Sequence, residues 1–348
     1  MEEHPAVSHA RPPFRRAVVT GGAGFLGAHL CRALLAEHPD TEVVCVDAFL
    51  TSSADSVADL LPDPRFALLR RDVSEGIDVE GPVDLVMHLA SPASPLDYAR
   101  HPIATLEAGS LGTRHALELA RVDGARFVMA STSEVYGEPL THPQSEGYWG
   151  NVNPIGPRSV YDEAKRFSEA LTAAYRRHRG TDTAIARIFN TYGPGMRAGD
   201  GRVVPTFITQ ALAGAPMTVT GDGRQTRSLC HVSDTVRGLI ALARSGLPGP
   251  VNLGNPEEMS MLDLARRIAA LCFAETGIEQ PPPRLIARPV DDPTTRCPDI
   301  ALARQALGWE PEIGWREGLL ETLRWFAGSG SGARSAAPLS EGQIPAHA

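Results

Sequence analysis

The chain has 348 residues, of which 43% are hydrophobic, so it is long enough for one large domain or two closely joined ones. Its formal net charge of −8 argues against nucleic acid or an anionic membrane as a partner, while leaving room for a local basic pocket. No apolar stretch is long enough to cross a bilayer, and residues 1–16 are polar and Pro-rich, so we expect no signal peptide and a cytoplasmic location.

The cysteines are odd in number and scattered, and they form neither a CxxC pair nor a metal-ligand spacing. We therefore expect reduced thiols and no metal site. The five cysteines are Cys31, Cys45, Cys230, Cys272 and Cys297.

The first half alternates short apolar strands with helical stretches. The predicted strands cover residues 17–20, 42–46, 66–69, 85–90 and 127–130. Helices are predicted over 27–37, 104–121 and 160–177. Nearly continuous apolar strands separated by helices indicate a parallel sheet covered on both faces.

Beyond Asn190 the pattern becomes irregular and predicts a smaller second lobe. We expect helices over 205–214, 261–271 and 300–307, a short strand over 217–219, and a strand, turn and helix in "SLCHVSDTVRGLIALA". The predicted organisation is a disordered N-terminus (1–15), a first domain (16–190, with return segments near 229–254), a second lobe (191–327) and a disordered tail (328–348).

A glycine motif joins the first strand to the first helix. In "TGGAGFLGAHL", Gly21 allows the tight turn, Gly24 lets the backbone approach a pyrophosphate, and Gly27 permits close helix–strand packing. Asp47 ends the next strand, where a carboxylate accepts hydrogen bonds from the adenosine ribose and repels a 2′-phosphate. The pattern predicts a Rossmann domain that binds NAD rather than NADP; a glycine-rich turn without a ligand is the alternative.

Asp72 ends the third strand and is predicted either to meet the adenine or simply to cap a turn. The predicted cofactor contacts are Gly21, Gly24, Phe25, Leu26, Gly27, Asp47, Asp72, Val73, Leu89, Ala90, Tyr161 and Lys165.

Tyr161 and Lys165, in "YDEAK", lie four residues apart on one predicted helix and so point to the same face. An ammonium beside a phenol favours the phenolate and is expected to lower the pKa of Tyr161. A phenolate near a sugar hydroxyl is a base for alcohol oxidation with NAD. An exposed helical pair is the alternative.

With these motifs the chain resembles the extended short-chain dehydrogenase/reductase family over roughly residues 16 to 326. The resemblance implies a doubly wound α/β sheet with a smaller C-terminal substrate-binding lobe. It assigns Thr132 to the substrate hydroxyl beside Tyr161. It also implies a homodimer formed through two helices per subunit, near 104–121 and 160–177.

Within that family, several stretches resemble those of the UDP-glucuronate decarboxylases, among them "ASPASPLDYARHP", "STSEVYGEPLTHPQSEGYWGNVNPIGPRSVYDEAKR", "GDGRQTRSLCHVSD" and "DDPTTRCPDI". Related 4,6-dehydratases carry Asp-Glu where this chain has Ser133-Glu134. A decarboxylase expels no hydroxyl, and a second anion beside the substrate carboxylate would repel it. Glu134 could orient the sugar, hold the carboxylate out of plane or help reprotonate C5; capping local N–H groups is the alternative.

The resemblance also assigns Arg296 to the sugar carboxylate, with a surface arginine as the alternative. The chain departs from the family pattern at Cys297, which follows that arginine where a basic residue is usual, and at Gly195, where many relatives have arginine. Arg197 is a candidate to compensate for the second change.

The predicted catalytic residues are Tyr161, Lys165, Thr132, Ser133, Glu134 and Arg296. The predicted contacts of the UDP-sugar are Tyr98, Arg100, Asn190, Arg202, Gln225, Arg227 and His231. A buried histidine with ordinary hydrogen bonds is the alternative for His231.

The predicted function is NAD-dependent decarboxylation of UDP-glucuronate, through C4 oxidation, loss of CO2 and C4 re-reduction to UDP-xylose. Release before re-reduction would give the UDP-4-keto-pentose. A nucleotide-sugar 4-epimerase or 4,6-dehydratase is the enzymatic alternative. A non-catalytic NAD-binding regulator is the alternative of another class.

Overall fold

The computed structural model describes residues 11–328. Its centre is a seven-stranded, fully parallel sheet, which confirms the predicted α/β fold. The seven strands are β1 (Arg16–Thr20), β2 (Glu42–Asp47), β3 (Phe66–Arg70), β4 (Leu85–His88), β5 (Arg126–Thr132), β6 (Thr183–Ile188) and β11 (Val251–Leu253).

The strands lie in the order β11-β6-β5-β4-β1-β2-β3. From β1 the chain builds outward through β2 and β3, then returns to place β4, β5 and β6 on the other side. The strand order therefore reverses between β1 and β4, and ligands of doubly wound sheets bind at the carboxyl edge of such a reversal.

Ten α-helices accompany the sheet within the described residues. They are α1 (Phe25–Glu37), α2 (Pro95–Arg100), α3 (Pro102–Glu107), α4 (Thr113–Asp123), α5 (Ser159–Arg179), α6 (Val203–Leu212), α7 (Val232–Arg244), α8 (Met261–Thr276), α9 (Ala301–Leu307) and α10 (Trp315–Gly328). None of the helices in residues 11–328 is long and apolar enough to span a membrane.

The two faces of the sheet bury separate apolar clusters because neighbouring strand residues point to opposite faces. In β1, Ala17 and Val19 face a cluster with α1 and α7, whereas Val18 faces a cluster with α4. Helices therefore cover both faces, and the hydrophobic strands hold the glycine motif at one fixed edge.

The sequence prediction omitted β6, β11 and the last helix, α10, and it ended β5 at residue 130. In the structure Ser131 and Thr132 continue the ladder opposite Arg187 and Ile188 of β6. The Ser131 hydroxyl donates to Glu169 Oε1 at 2.6 Å, so its polarity is satisfied inside the protein. The polar end of the strand is thus hydrogen-bonded within the protein.

The helix predicted over 104–121 is interrupted by a π-helical turn at Ala108–Gly112. A Cβ on Gly109 would lie 2.7 Å from the Ala164 Cβ, and Gly109 O accepts a hydrogen bond from Ser168 Oγ at 2.6 Å. The wider turn lets α5 approach closely, and periodicity alone does not reveal such a local adjustment.

The second lobe buries its own apolar cluster between α6, α8 and α10. Three short two-stranded pairings accompany it: β10 (Cys230–His231) with β7 (Thr191–Tyr192), β12 (Glu258–Ser260) with β9 (Thr226–Ser228), and β13 (Arg284–Ile286) with β8 (Thr218–Thr220).

The chain alternates between the lobe and the sheet. After β9 it returns to build α7 and β11, and after β13 it returns again to pack α9 beside β11 before α10 closes the lobe. The two parts are consequently connected at several points rather than by one linker.

The disorder predicted for both ends falls mostly outside the described residues, at 1–10 and 329–348. Residues 11–15 of the predicted disordered segment are packed on the domain: Phe14 is buried, and the Arg11 N–H donates to Arg244 O at 2.9 Å.

Candidate active site

The glycine loop lies where the strand order reverses. Gly21 has a positive φ of 69°, and a Cβ there would lie 2.8 Å from the Ala90 backbone, so only glycine fits between β1 and β4. A Cβ on Gly27 would lie 2.2 Å from Gly21 O, which explains why α1 packs so closely on the loop.

Gly24 differs from these two glycines. A Cβ on it would meet one atom within 4 Å, Gly21 O at 3.1 Å, so the position borders open space. It precedes α1, no side chain caps that helix end, and Phe25 and Leu26 are half-buried beside it. A helix N-terminus with exposed glycine backbone suits a phosphate group.

Asp47 braces the glycine loop. Its Oδ2 accepts from Ala23 N at 3.0 Å, and its Oδ1 accepts from Phe49 N at 2.8 Å and Ser52 Oγ at 2.7 Å. A carboxylate accepts about four hydrogen bonds, so capacity for a ribose hydroxyl remains.

Asp72 caps a turn, because its Oδ1 accepts from both the N–H and the hydroxyl of Ser74. This is the second of the two alternatives that the sequence offered for Asp72. Val73 is buried beside Gly112. Leu89 and Ala90 follow β4 and donate their N–H groups to Thr20. The structure thus brings these predicted contacts around one edge of the sheet.

Tyr161, Lys165 and Thr132 meet at the end of β5. The Lys165 Nζ donates to Ala130 O at 2.9 Å and lies 5.8 Å from the centre of the Tyr161 ring. Burial raises the pKa of Tyr161 to about 12, although its hydrogen bond with Thr132 opposes the shift, and burial lowers the pKa of Lys165 to about 8. Contrary to the prediction, the pKa of Tyr161 is raised overall in this structure, because burial outweighs the groups that favour the phenolate.

Glu134 is held between two arginines. Its Oε2 lies 2.5 Å from Arg158 Nη2, and its Oε1 pairs with Arg296, whose side chain is 2% exposed. Burial alone would raise the pKa of Glu134, but Arg296 and Arg158 outweigh it and bring the pKa down to about 2. Arg296 also donates to Ser133 Oγ at 3.4 Å and to Gly137 O at 3.1 Å.

The structure adds two residues that the sequence prediction did not assign, Arg158 and Asp162. Arg158 precedes Tyr161 by three residues, a spacing that places both on one side of α5 and could have indicated its role. Asp162 is buried, and its Oδ1 has no hydrogen-bond partner among residues 11–328. Burial and the neighbouring charge of Glu134 raise the pKa of Asp162 to about 7.

Two of the predicted UDP-sugar contacts, Tyr98 and Arg100, lie on α2 and differ in exposure, since Tyr98 is buried and Arg100 is exposed. The Tyr98 ring stacks on that of Tyr161, with centres 5.4 Å apart and planes 8° from parallel. Arg100 is exposed at the end of α2. Arg197, the candidate to compensate for Gly195, forms an ion pair with Asp97 of α2.

The predicted nucleotide contacts of the second lobe are partly occupied by the protein itself. Arg202 Nη1 lies 3.6 Å from Asp200, and Arg227 Nη2 lies 3.0 Å from Asp292. The Gln225 amide donates to both Thr220 oxygens at 2.8 Å.

Asn190 directly precedes β7, and His231 is the last residue of β10, so both lie at the short β7–β10 pairing. Asn190 O accepts from Cys230 N at 2.9 Å, and the Asn190 side chain is half-buried. His231 is buried, and its Nδ1 accepts from Ser233 N at the start of α7, whereas its Nε2 has no hydrogen-bond partner among residues 11–328.

Comparisons with known proteins agree with this geometry. A family model described as the NAD dependent epimerase/dehydratase family matches residues 17–254. UDP-glucuronic acid decarboxylase 6 of Arabidopsis thaliana is 49% identical over 87% of this chain and 86% of that protein. UDP-glucuronic acid decarboxylase 1 of Xenopus tropicalis is 47% identical over 90% and 72%.

Among solved structures, UDP-glucuronic acid 4-epimerase from Bacillus cereus, in complex with UDP-glucuronic acid and NAD, has a TM-score of 0.77 and 27% identity. The alignment covers 90% of this chain and 99% of that one.

The raised pKa of Asp162 predicts a pH dependence of stability. Between its ordinary pKa of 3.8 and the folded value of about 7, the folded chain holds a proton that the unfolded chain releases. This stabilisation is complete below the lower pKa and is lost as pH rises through about 7. Asp162→Asn keeps a neutral side chain, so we expect it to be more stable than the wild type at about pH 8, by about 1–3 kcal/mol, and similar to it at about pH 4.

Urea unfolding across this pH range measures the difference. Glu163→Gln, at the neighbouring and more exposed residue, removes the same charge and should leave the wild-type pH profile. Parallel profiles for Asp162→Asn and the wild type would show that Asp162 is ionised in the fold.

Proposed function

The chain belongs to the NAD-dependent epimerase/dehydratase family, and we propose that it decarboxylates UDP-glucuronate to UDP-xylose with NAD as its cofactor. The observation that carries the proposal is the cluster of Ser133, Glu134, Arg158 and Arg296 beside Tyr161. It supplies a base and a positively charged place for a substrate carboxylate. The similarity to UDP-glucuronic acid decarboxylases over most of the chain supports the same activity.

The residues of the glycine loop fit NAD. Gly24 leaves space for a pyrophosphate at the uncapped N-terminus of α1, and Asp47 keeps acceptor capacity for a ribose hydroxyl. When bound, NAD supplies a hydride acceptor for C4 of the sugar and the hydride that later restores the alcohol.

Tyr161 is proposed as the group that takes the proton from the C4 hydroxyl, with Thr132 bonded to the same hydroxyl. The pKa of about 12 keeps Tyr161 protonated in the free chain, so the phenol first releases its proton to solvent, and the resulting phenolate takes the proton of the C4 hydroxyl. Lys165, fixed on Ala130 O, holds an ammonium over the ring and stabilises the phenolate when it forms.

The charges around Glu134 favour an anionic substrate. Glu134 is ionised at neutral pH and compensates one of the two arginines, Arg158 and Arg296, which leaves one positive charge. Asp162 adds no full negative charge below its pKa of about 7. We infer that this surplus charge holds the C6 carboxylate until the C5–C6 bond breaks, CO2 leaves, and the electron pair enters the C4 ketone as an enolate.

Ser133 completes this arrangement. Its hydroxyl accepts from Arg296, which a neutral side chain can do without adding charge. An aspartate here would neutralise the remaining positive charge and oppose the substrate carboxylate. The serine therefore favours decarboxylation over elimination of a hydroxyl.

For the nucleotide, we propose Arg202 as the first diphosphate contact, because its 3.6 Å separation from Asp200 is the longer of the two arginine–carboxylate distances. Arg227 is closer to its carboxylate partner, and the Gln225 amide is engaged with Thr220. We assign those two residues to holding the walls of the pocket.

A 4-epimerase acting on the same substrate is the second candidate. The structural similarity to a UDP-glucuronic acid 4-epimerase favours it, since the fold and the base would serve both reactions. The two activities differ in product mass, because epimerisation leaves the mass unchanged.

We also infer a homodimer and a reducing, cytoplasmic location. Helix α3, the π-helical turn after it and α5 expose large apolar side chains: Ile103 (65% exposed), Leu106 (38%), Leu111 (42%) and Phe167 (51%). A helical face of this kind is typical of a subunit interface. The five cysteines are unpaired and buried, which supports the reducing compartment.

Incubation of the purified protein with UDP-glucuronate and NAD tests the activity. We expect release of CO2 and a UDP-sugar lighter by one CO2, either UDP-xylose or, before re-reduction, UDP-4-keto-pentose. A product of unchanged mass would indicate epimerisation, loss of water would indicate dehydration, and no turnover would favour a non-catalytic NAD-binding role.

The same assay tests the base. Tyr161→Phe should lower kcat by about 10²–10⁴-fold while NAD still binds. Tyr175→Phe, near the other end of α5, is the matched control and should retain activity. Equal turnover of the two variants would refute the assignment of Tyr161.

Two glycine variants distinguish the role of the loop in binding NAD from its role in packing helix α1. Gly24→Ala has room for its methyl group apart from Gly21 O and should fold normally but bind NAD weakly. Gly27→Ala, which places a methyl 2.2 Å from Gly21 O, should lose about 1–3 kcal/mol of stability. Calorimetric NAD titration and thermal unfolding measure both; wild-type NAD affinity in Gly24→Ala would contradict the proposed phosphate site.

Phe167→Glu tests the dimer, because a charge at the centre of an apolar interface is costly. We expect a monomer by light scattering at concentrations where the wild type is a dimer. Phe273→Glu, at a phenylalanine of similar exposure (53%) on α8, should remain a dimer. A dimer in both variants would place the interface elsewhere.

A further inference from the structure

Three side chains outside the active site bring metal-binding atoms together. The Nε2 of His142 lies 2.8 Å from Oε2 of Glu258, and the Sγ of Cys297 joins them, with the three atoms within 4.8 Å of one another. The residues come from three distant segments, so no ligand spacing in the sequence could reveal the group.

One thiol, one imidazole and one carboxylate form a donor set typical of zinc. Zn²⁺ accepts all three ligand types, and sites with three protein ligands keep a fourth position for water. Tetrahedral bonds of about 2.0–2.3 Å require donor atoms about 3.3–3.6 Å apart. The His142–Glu258 contact must therefore widen slightly, which the 47% exposed His142 side chain can accommodate.

The surroundings hold two of the three ligands in place. The Gln144 N–H donates to Cys297 O, and the Cys297 N–H donates to Gln144 Oε1, both at 2.9 Å. Gln144 lies two residues after His142, so these two bonds hold the segments of His142 and Cys297 together. Glu258 Oε1 accepts from Thr226 Oγ1 at 2.6 Å, which orients the carboxylate and leaves Oε2 for the metal.

A buried hydroxyl beside the thiol supports a ligand at this position. Ser228 is fully buried, and its Oγ has no hydrogen-bond partner in ordinary geometry among the described residues. Ser228 lies opposite Glu258 in the β9–β12 pairing, and its side chain is close enough to interact with the Cys297 thiol. A metal-bound water or thiolate at this point would give the hydroxyl an acceptor.

We propose that His142, Glu258 and Cys297 form a binding site for Zn²⁺ or a similar thiophilic divalent cation. Binding replaces the Cys297 S–H bond with a metal–sulfur bond and releases the proton to solvent, without oxidation or reduction.

A bound cation would fasten three segments that border the active site. Glu258 is on β12, paired with the strand that carries Arg227, and Cys297 follows Arg296 directly. His142 belongs to the loop after Gly137, whose carbonyl accepts from Arg296. The metal would thereby restrict the segment that presents Arg296 to Glu134.

Titration of the tag-free, reduced protein with Co²⁺ tests the site. We expect one equivalent to produce a near-ultraviolet thiolate-to-cobalt charge-transfer band and visible bands of a four-coordinate ion, and Zn²⁺ to displace them. Zn²⁺ should also raise the thermal unfolding midpoint, since it binds the folded chain.

Cys297→Ser should lose the charge-transfer band, and His142→Ala should weaken Co²⁺ binding by about tenfold or more. Cys272→Ser, at a buried cysteine in α8, is the matched control and should keep both. The proposal is overturned if the wild type gives no stoichiometric band, if the band survives in Cys297→Ser, or if His142→Ala binds Co²⁺ with unchanged affinity. None of these measurements depends on turnover.

Discussion

A buried carboxylate between two guanidiniums joins the parts of this molecule that must work together. Glu134 follows β5, Arg158 precedes α5, and Arg296 belongs to the segment that returns from the second lobe. Removing Glu134 would leave two buried guanidiniums without their carboxylate partner, at a cost of about 3–5 kcal/mol. The ion group therefore fixes the end of the strand, the start of the catalytic helix and the lobe at one point.

The features that the sequence could predict are local ones. Gly21, Gly24 and Gly27 lie within seven residues between a strand and a helix, and Tyr161 and Lys165 share one turn of α5. Backbone geometry over such short distances determines their positions. The partners of Glu134 could not be predicted in this way, because Arg296 lies far along the chain and approaches only when the lobe folds back.

The electrostatic state of the site also needed the structure. Placing Lys165 beside Tyr161 suggested an easily ionised phenol, yet burial of the ring dominates, and the ammonium is fixed on Ala130 O. Asp162 occupies the next position to Tyr161 in the same motif, and burial and the charge of Glu134 nonetheless raise its pKa to about 7. Residue type and spacing carry no information about such desolvation. For Gln225, too, the sequence could not reveal the partner, since its side-chain amide donates a hydrogen bond to Thr220 O.

The repeated passage of the chain between sheet and lobe has a consequence for how this architecture can diversify. Because α7 and β11 lie in sequence between segments of the lobe, and α9 precedes the helix that closes it, the lobe is not a contiguous cassette. Exchanging it for that of a relative would require several splice points, each beside a residue of the pocket. Substrate preference in such a chain is therefore more readily altered by single replacements on fixed segments, as the contact of Ser133 with Arg296 illustrates, than by recombination of whole modules.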